Sequence, residues 1–346
     1  MTDLIIFGSV FAASYFGVEA FRRWSLRTGL LDIPNDRSSH ESPTPRGGGL
    51  VIVFLSILFY LLISVFVTQN LSWSYLIGAT LVAVISWIDD LYSVSSILRI
   101  LVHSVSAVIL IAGIGYWHEI YIPGAETVLN LQAAGAVITF LWIVWMINAY
   151  NFMDGIDGLA GLQGVLAGTG WLVYGVIFGY SSLYYYGGVL IFACLGFLIH
   201  NWRPAKIFMG DVGSAFLGFT FAAFPLLAAE EKPENAAFLP VIAVSFVWFF
   251  VFDTIFTFSR RVLRGTKVWA AHREHLYQRL IIFGMSHSLV SLIYGILTTM
   301  VIASALVGTT LRGGWEFLTL FALLVLSILL VILSLRKNID LNDRKC

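Results

Sequence analysis

Long runs of apolar residues, each near the length of one membrane crossing, alternate along this chain with short polar segments. A helix needs about 20 mainly apolar residues to span a bilayer, and the pattern predicts eleven such helices. The predicted spans are residues 4–21, 50–68, 72–88, 97–115, 131–149, 159–179, 183–199, 213–229, 237–258, 287–308 and 315–335. We therefore predict an all-α, polytopic membrane helix bundle in which residues 1–346 form a single integral membrane domain.

The composition supports a membrane protein. Hydrophobic residues make up 59% of the chain and charged residues 12%, whereas about a quarter of the residues in a soluble domain are charged. The formal net charge is zero, which argues against nucleic acid as a partner, and the apolar spans make membrane lipids the expected partners. The two cysteines, Cys194 and Cys346, form neither a metal-binding spacing nor a disulfide framework.

The positions of lysine and arginine orient the bundle. Short loops rich in these residues stay in the cytoplasm, and of the 20 lysines and arginines only Lys232 and Arg312 lie in loops that follow an even-numbered span. This asymmetry predicts an amino terminus outside and a carboxyl terminus in the cytoplasm. The external loops carry few charges, and we assign no catalysis to them.

Acidic residues lie at the predicted cytoplasmic ends of two spans. Asp89 and Asp90 close the third span, and the string NFMDGIDG at 151–158 places Asn151, Asp154 and Asp157 after the fifth. Carboxylates at the edge of a hydrocarbon layer are costly to desolvate, so they usually face an aqueous cavity and hold a cation or a substrate. The structural alternatives are a helix cap for the second group and a solvated helix end for the first.

Basic and glycine-rich segments lie at the same predicted face. Their basic residues, which can neutralise phosphate oxygens, are Arg37, His40, Arg46, Arg203 and Lys206. The first cytoplasmic loop ends in PTPRGGG at 43–49, and we expect the N–H groups of its glycines to approach an anion; a positive-inside anchor is the alternative. Asp211 closely follows Arg203 and Lys206, which suits a metal-bridged diphosphate or a helix cap.

The last large cytoplasmic loop, residues 259–286, contains His272, His275 and Arg279. The two histidines share one face if the segment is helical. We favour their contact with phosphate or nucleotide over a zinc site, because no further ligands with zinc spacing accompany them. An interfacial helix whose basic face meets anionic lipid head groups is the alternative.

Acids from separate parts of the chain are thus predicted to converge on one membrane face among interleaved arginines. The acids that we place there are Asp89, Asp90, Asp154, Asp157 and Asp211. Asp253, inside the ninth span, either joins them or pairs with Arg260 or Arg261. Such a constellation resembles a magnesium and diphosphate site, because magnesium is commonly shared between carboxylates and substrate phosphates. A membrane-embedded cleft implies a lipidic substrate, and its cytoplasmic opening admits a soluble, nucleotide-linked donor.

The strings PTPRGGG (43–49), DD (89–90), NFMDGIDG (151–158) and RPAKIFMGD (203–211) occur in this order across most of the chain. With them the chain resembles the polyprenyl-phosphate N-acetylhexosamine-1-phosphate transferases. It is similar to the enzymes that initiate O-antigen, enterobacterial common antigen and teichoic acid linkage synthesis, and more distantly to phospho-N-acetylmuramoyl-pentapeptide translocase. The resemblance implies transfer of a sugar-1-phosphate from a UDP-N-acetylhexosamine to undecaprenyl phosphate in the bacterial inner membrane, with release of UMP.

The resemblance also implies roles for single residues. Asp211 matches a magnesium ligand, with Asp90 and Asp154 as further ligands and Mn²⁺ as an alternative ion. Asp89 and Asp90 match the catalytic pair, one of which deprotonates the acceptor phosphate; direct attack and a covalent acyl-phosphate intermediate both stay open. The positions expected to bind substrate are Arg37, His40, Arg46, Asn151, Asp154, Asp157, Asn201, Arg203, Lys206, His272, His275 and Arg279. A homodimer is also left open.

Two features depart from the family pattern. Many relatives carry the string HIHH in the last cytoplasmic loop, where this chain has HREHLYQR at 272–279. Because this loop is expected to distinguish sugars, the variant favours N-acetylated deoxyhexosamine donors such as N-acetylfucosamine. The first loop lacks the lysine of the muramoyl-pentapeptide branch, so a muramoyl donor is less favoured.

Two functions of other classes remain as alternatives. A cation-coupled secondary transporter would place its acids near the bilayer midplane and would often show an inverted repeat. The acids here cluster at span ends and no repeat is evident. An inactive membrane scaffold would tolerate neutralisation of Asp89, Asp90, Asp154 and Asp211 without consequence.

Overall fold

The computed structural model describes residues 2–34, 42–125, 127–266, 272–311 and 316–342. The helices within these residues are α1 (Thr2–Thr28), α2 (Gly49–Phe66), α3 (Trp73–Tyr92), α4 (Ser96–Ile114), α5 (Ala134–Met153), α6 (Leu159–Phe178), α7 (Ser181–Asn201), α8 (Asp211–Glu231), α9 (Leu239–Phe246), α10 (Trp248–Leu263), α11 (Leu276–Ile282), α12 (His287–Leu311) and α13 (Glu316–Asn342). All except α9, α10 and α11 are long and apolar enough to cross a bilayer alone. The prediction of a polytopic helix bundle is confirmed.

The predicted ninth span, 237–258, is a broken helix. A short 3-10 helix (Pro233–Phe238) leads into α9, and this segment meets α10 at Val247 with a bend of 73°. Such a break frees backbone groups that must be satisfied inside the bundle, and Gln163 Nε2 donates a hydrogen bond of 2.9 Å to the Phe246 carbonyl oxygen. Neither proline nor glycine stands at residues 246–248, so the local sequence contains no signal for the break.

The broken helix nevertheless traverses the whole bundle. Near its start, the Phe238 ring centroid lies 4.5 Å from that of Tyr121, in the segment that precedes α5. Beyond its end, the Tyr277 hydroxyl donates a hydrogen bond of 3.0 Å to the carbonyl oxygen of Phe152, in the last turn of α5. Counted as one span, the pair brings the crossings among the described helices to eleven, the number predicted.

Two small antiparallel strand pairs, which the hydrophobic pattern did not predict, join the ends of neighbouring helices. β1 (Leu31–Asp32) pairs with β2 (Thr44–Pro45) at the base of the first loop, and β3 (Glu119–Ile122) pairs with β4 (Thr127–Asn130) between α4 and α5. The registers set Leu31 opposite Pro45 and Glu119 opposite Asn130. Strands this short leave the helical class unchanged.

Helix α8 forms the centre of the bundle. Within its span 94% of the residues are buried, whereas the corresponding share in α1 and in α4 is 22%. Glycines allow its close packing: Gly49 of α2 lies against Gly213, and a Cβ on either residue would collide with the backbone of the other. Because α8 begins at Asp211, the fold places this carboxylate at the middle of one end of the bundle.

Candidate active site

The two adjacent acids at the end of α3 point in different directions. The Asp90 carboxylate accepts hydrogen bonds from the backbone N–H groups of Asp211 (3.0 Å) and Val212 (3.1 Å), the first residues of α8. Its side chain is 1% exposed. The Asp89 carboxylate pairs instead with Arg99. Asp90 therefore satisfies N–H groups that are free at a helix start and carry partial positive charge.

Gly210 allows this contact between α3 and α8. Its φ of 78° lies in the left-handed region that favours glycine. A Cβ at this position would stand 2.6 Å from Asp90 Oδ2. The glycine of the string RPAKIFMGD therefore lets α8 begin directly against the Asp90 carboxylate.

Two arginines surround the acids. Arg46, from the first loop, donates from Nη2 to Asp90 Oδ1 over 2.8 Å. Arg99, in the first turn of α4, donates from Nη1 both to Asp89 Oδ2 (2.7 Å) and to Asp211 Oδ2 (2.8 Å). The convergence predicted for Arg46 is thus observed, and Arg99 links two of the predicted acids.

Arg99 is a site residue that the sequence did not single out, because it was counted only among the lysines and arginines that orient the bundle. A signal was present in its position. It begins the span that follows Asp89 and Asp90 after a short turn, so it had to lie at the same membrane face as the pair.

Asp211 is the most accessible of the paired carboxylates. Its side chain is 32% exposed, against 12% for Asp89. Asp154 directly follows α5; burial raises its pKa well above the ordinary value, and the negative charges of Asp211 and Asp90 act in the same direction. Asp90, Asp154 and Asp211, the three predicted metal ligands, therefore lie close enough to influence one another at one end of the bundle.

The predicted site residues Asn151, Asp157 and Asn201 hold backbone segments together. Asn151 Nδ2 donates to Ser214 Oγ over 3.0 Å. Asn201 accepts from Gly158 N and donates to the Ile207 carbonyl oxygen, both over 2.9 Å. Asn201 thus joins the segment after α5 to the segment before α8, and Asn151 joins α5 to α8.

Asp157 ties the same region to α12. Its carboxylate lies 3.1 Å from His287 Nδ1 and accepts a hydrogen bond of 3.2 Å from Ala205 N. The side chains of Arg203 and Lys206 are exposed on the loop that Asp157 anchors. They are therefore free to approach a ligand, whereas Asp157 is buried.

The first loop differs from the prediction in one respect. Gly48 N donates to the Phe208 carbonyl oxygen (2.9 Å) and Gly49 N to that of Met209 (2.8 Å), so these N–H groups do not face an anion as we expected. The glycines instead let the first loop pack against the segment that precedes α8. Arg37 and His40 lie outside the described residues.

The last cytoplasmic loop is organised by Asp253. This fully buried carboxylate accepts hydrogen bonds from Leu276 N (2.9 Å), Tyr277 N (3.2 Å) and the Tyr294 hydroxyl (2.6 Å), and it lies 3.1 Å from His275 Nδ1. It therefore caps the start of α11. The predicted alternative, a pair with Arg260 or Arg261, is not what the structure shows, because Arg261 pairs with Glu274.

His272 and His275 are neighbours, but not on a helix. Helix α11 begins only at Leu276, and the two imidazole centroids lie 5.0 Å apart. Burial lowers the pKa of His272 to about 4, and the charges of His275 and Arg261 act in the same direction. His272 is therefore neutral at pH 7 and can serve as a hydrogen-bonding group but not as a cation.

Tyr277 is a second residue that the sequence reasoning missed. Its hydroxyl reaches the Phe152 carbonyl oxygen, and a Cβ on Gly155 would collide with it, so it packs directly against the segment that carries Asp154. Arg279 points elsewhere, since its Nε donates to the Ser334 carbonyl oxygen of α13 over 3.4 Å.

The chemistry of the donor set fits magnesium. Asp90, Asp154 and Asp211 offer carboxylate oxygens, the ligands that Mg²⁺ prefers. Among the described residues no group of three or more His, Cys, Asp or Glu side chains is placed to hold a metal ion. Mg²⁺ commonly shares its coordination between one or two carboxylates and substrate phosphates.

A polytopic helix bundle whose central helix starts among paired carboxylates and arginines defines an integral membrane protein with a site for charged ligands at one membrane face. Comparison with known proteins identifies the family. The profile described as Glycosyl transferase family 4 matches residues 72–229, which contain the acids from Asp89 to Asp211. Taken with the relatives described next, this match shows that the chain belongs to that family, as its motifs predicted.

Relatives match most of the chain. A Bacillus subtilis protein named "Probable undecaprenyl-phosphate N-acetylglucosaminyl 1-phosphate transferase" is 31% identical over 90% of this chain and 86% of its own. The decaprenyl-phosphate N-acetylglucosaminephosphotransferase of Mycobacterium tuberculosis is 31% identical over 81% of this chain and 76% of its own. The undecaprenyl-phosphate alpha-N-acetylglucosaminyl 1-phosphate transferase of Salmonella typhi is 30% identical over 78% and 74%.

Proposed function

We propose that this protein transfers an N-acetylhexosamine-1-phosphate from a UDP-sugar to undecaprenyl phosphate in the bacterial inner membrane. An oxygen of the acceptor phosphate forms a bond to the β-phosphorus of the donor, and the bond from that phosphorus to the α-phosphate oxygen breaks. The products are undecaprenyl-diphosphate sugar and UMP. The names of the relatives support this reaction.

One observation carries the proposal most directly. Asp211, Asp89 and Asp90 meet Arg46 and Arg99 where the buried helix α8 begins. Opposite charges that alternate in this way suit a diphosphate, since its oxygens need cationic partners while a divalent ion needs carboxylates. The site lies at the end of a bundle of spanning helices, where a lipid phosphate and a soluble nucleotide can meet.

We propose different roles for the acids, on the basis of their contacts. Both Asp90 oxygens already accept hydrogen bonds, so we assign Asp90 mainly to positioning Asp211, which would be the principal Mg²⁺ ligand with Asp154 beside it. Mg²⁺, or Mn²⁺ in its place, would neutralise charge on the diphosphate. Asp89, which is less buried than Asp90, is the better base for the acceptor phosphate once Arg99 turns to the incoming phosphate oxygens.

The donor and the pathway are narrower proposals. The string HREHLYQR at 272–279 places Tyr277 and His275 next to the segment that carries Asp154, where a donor sugar would bind. From the sequence of this loop we propose an N-acetylated deoxyhexosamine as the donor sugar. The pathway step that we propose is the initiation of a cell-surface polysaccharide such as O-antigen. N-acetylglucosamine, which the names of the relatives contain, is the competing donor.

The transporter alternative is disfavoured by the depth of the acids. Asp89 and Asp90 end α3 and Asp211 begins α8, so none of them lies at the middle of a span. A transporter that binds its coupling ion near the midplane would need acids there. Asp253 lies inside the predicted ninth span, but its carboxylate is already occupied by the N–H groups of Leu276 and Tyr277 at the start of α11.

The test is release of UMP by the purified protein with undecaprenyl phosphate, Mg²⁺ and, in separate reactions, UDP-N-acetylglucosamine, UDP-N-acetylfucosamine and the muramoyl-pentapeptide donor. We expect UMP only when both lipid and metal are present. Asp211→Asn should lower the rate by at least about a hundredfold, because loss of metal charge stabilisation costs several kcal/mol.

The matched control is Glu119→Gln, which neutralises an exposed acid of β3 at the other end of the bundle and should keep the wild-type rate. Wild-type rates in Asp211→Asn would contradict the assignment of the site. Folded protein that releases no UMP with any donor would contradict the transferase itself.

A further inference from the structure

Three arginines lie together outside the site described above. Arg260 is in the last turn of α10, Arg264 follows that helix, and Arg279 is in α11. Their charges act on one another, as expected of close neighbours. We refer to these three residues as the basic cluster.

The basic cluster faces away from the acids. Tyr277 and Arg279 are two residues apart on α11, so their side chains leave the helix about 200° apart. Tyr277 contacts Phe152, beside Asp154, whereas Arg279 contacts Ser334 of α13 and lies over the Phe283 ring. Arg279 therefore belongs to a surface between α10, α11 and α13.

Positive charge exceeds negative charge there. Among the described residues of this region, Glu274 is the carboxylate that pairs with arginines, and it contacts Arg261 and, over 3.9 Å, Arg264. Among the described residues, Arg260 Nη1 and Arg279 Nη2 are buried and have no hydrogen-bond partner. Leaving a charged donor buried without a partner is costly, so these two nitrogens indicate an acceptor that binds from outside the chain.

The surroundings of the cluster are apolar and exposed. Leu263 is 87% exposed, Ile282 55% and Val262 52%, and each lies within three residues of a member of the cluster in sequence. Exposed apolar side chains beside buried guanidinium groups, at the end of spanning helices, are typical of the level where lipid head groups meet acyl chains.

We propose that the basic cluster binds the phosphate of an anionic glycerophospholipid, whose acyl chains cover Val262, Leu263 and Ile282. Arginine suits this ligand because its planar guanidinium donates paired hydrogen bonds to phosphate oxygens. The bound lipid would hold α11 against α13 on the side opposite to the acids. The proposal does not depend on the reaction assigned to the acidic site.

The experiment measures retained and added lipid by native mass spectrometry of the full chain in detergent, together with its unfolding temperature. Phosphatidylglycerol, phosphatidylcholine and inorganic phosphate are added separately. We expect phosphatidylglycerol to be retained during purification or to bind when added, and to raise the unfolding temperature. Neither phosphatidylcholine nor inorganic phosphate should raise it. In Arg260→Gln/Arg279→Gln the affinity should fall at least about tenfold, because two charge-assisted hydrogen bonds are lost.

Arg27→Gln is the matched control, since it removes an exposed arginine from the end of α1 and should bind phosphatidylglycerol as wild type does. Arg279→Lys, which retains the charge, should fold and keep part of the effect if the double variant fails to fold. Equal binding of phosphatidylglycerol and phosphatidylcholine would overturn the proposal, as would an unchanged affinity in the double variant. An equal rise with inorganic phosphate would identify a site for free phosphate instead.

Discussion

At the scale of single residues, Gly210 has two separate requirements, a positive φ and the absence of a Cβ next to Asp90. Gly265 requires only the positive φ, which is 66°, because no atom lies within 4 Å of where a Cβ would be. Gly265→Ala should therefore cost about 1 kcal/mol from backbone strain alone. Gly210→Ala should cost more, on the order of 2–4 kcal/mol, because the Asp90 cap is also displaced.

Unfolding temperatures of the two alanine variants in one detergent check this expectation. The strain and the displaced cap also predict that Gly210→Ala weakens metal-dependent stabilisation, whereas Gly265→Ala retains it. Equal destabilisation by both substitutions would mean that the contact between Asp90 and α8 contributes nothing measurable.

Asp157 links stability to pH. Although burial alone would raise its pKa, the hydrogen bond and the charge of His287 lower it below the ordinary value. A carboxylate with a lowered folded-state pKa stabilises the protein above its unfolded pKa, about 3.9, and loses this contribution as the pH falls through the folded value. Asp157→Asn should thus be less stable at pH 7 by roughly 1–3 kcal/mol.

The measurement is thermal unfolding of wild type and Asp157→Asn from pH 3 to pH 8. The difference between them should be constant at neutral pH and should shrink below about pH 4, where the wild-type carboxylate begins to take up a proton. The exposed acid of Glu119→Gln is again the control and should show little difference at any pH. A gap of the same size across the whole range would argue against a lowered pKa of Asp157 in the folded protein.

How far the sequence predicts this site depends on the distance to each partner along the chain. The topology alone brings Asp90, Asp154 and Asp211 to one face, because every odd-numbered span ends there. No comparable rule predicts which hydrogen bonds form between segments that are remote in sequence. The N–H groups of Gly48 and Gly49 are satisfied by carbonyls about 160 residues later, and no local pattern shows that these groups are not free.

At the scale of elements, the short helix α11 depends on one buried acid. Asp253 receives the N–H groups of Leu276 and Tyr277 and the Tyr294 hydroxyl. All of these are donors, so Asp253→Asn would turn an amide N–H₂ toward at least one of them. We expect a loss of about 3 kcal/mol and a loosened segment 272–282.

Hydrogen–deuterium exchange of the segment 272–282 measures that loosening. Exchange should accelerate in Asp253→Asn and should change less in Tyr294→Phe, which removes a single donor and leaves the carboxylate in place. The distant β3–β4 hairpin should exchange as in wild type in both variants. Unchanged protection of α11 in Asp253→Asn would show that its packing against α13 is sufficient.

The break between α9 and α10 shows why element type is easier to predict than element continuity. Apolar length predicts a crossing over 237–258, and this segment forms a bent helix pair that is long and apolar enough to cross once. At the bend, tertiary partners satisfy the freed groups: Gln163 bonds the Phe246 carbonyl oxygen and Trp248 Nε1 donates to Ser327 Oγ over 2.8 Å. These partners belong to other helices, so hydrophobicity within the segment cannot reveal them.

At the scale of the whole molecule, the broken helix decides on which side of the membrane the last loop lies. If α9 and α10 returned to the face they left, Thr266 would lie on the same side as Glu119 of β3. The contact between Tyr277 and Phe152 instead places the last loop with the acids, at the end opposite to β3. Together with the distribution of lysine and arginine, this predicts that Glu119 is external and Thr266 cytoplasmic.

Single-cysteine labelling tests this arrangement. In a Cys346→Ser background, where the remaining Cys194 is buried and should stay unlabelled, Glu119→Cys should react with a membrane-impermeant maleimide on intact spheroplasts. Thr266→Cys should react only after permeabilisation. Both residues are exposed, so any difference in their labelling reports the side of the bilayer on which each one lies. Labelling of both from outside would make α9 and α10 a re-entrant pair. It would also reverse the side assigned to every later loop, and a reversed carboxyl end would contradict the positive charge that the chain carries there.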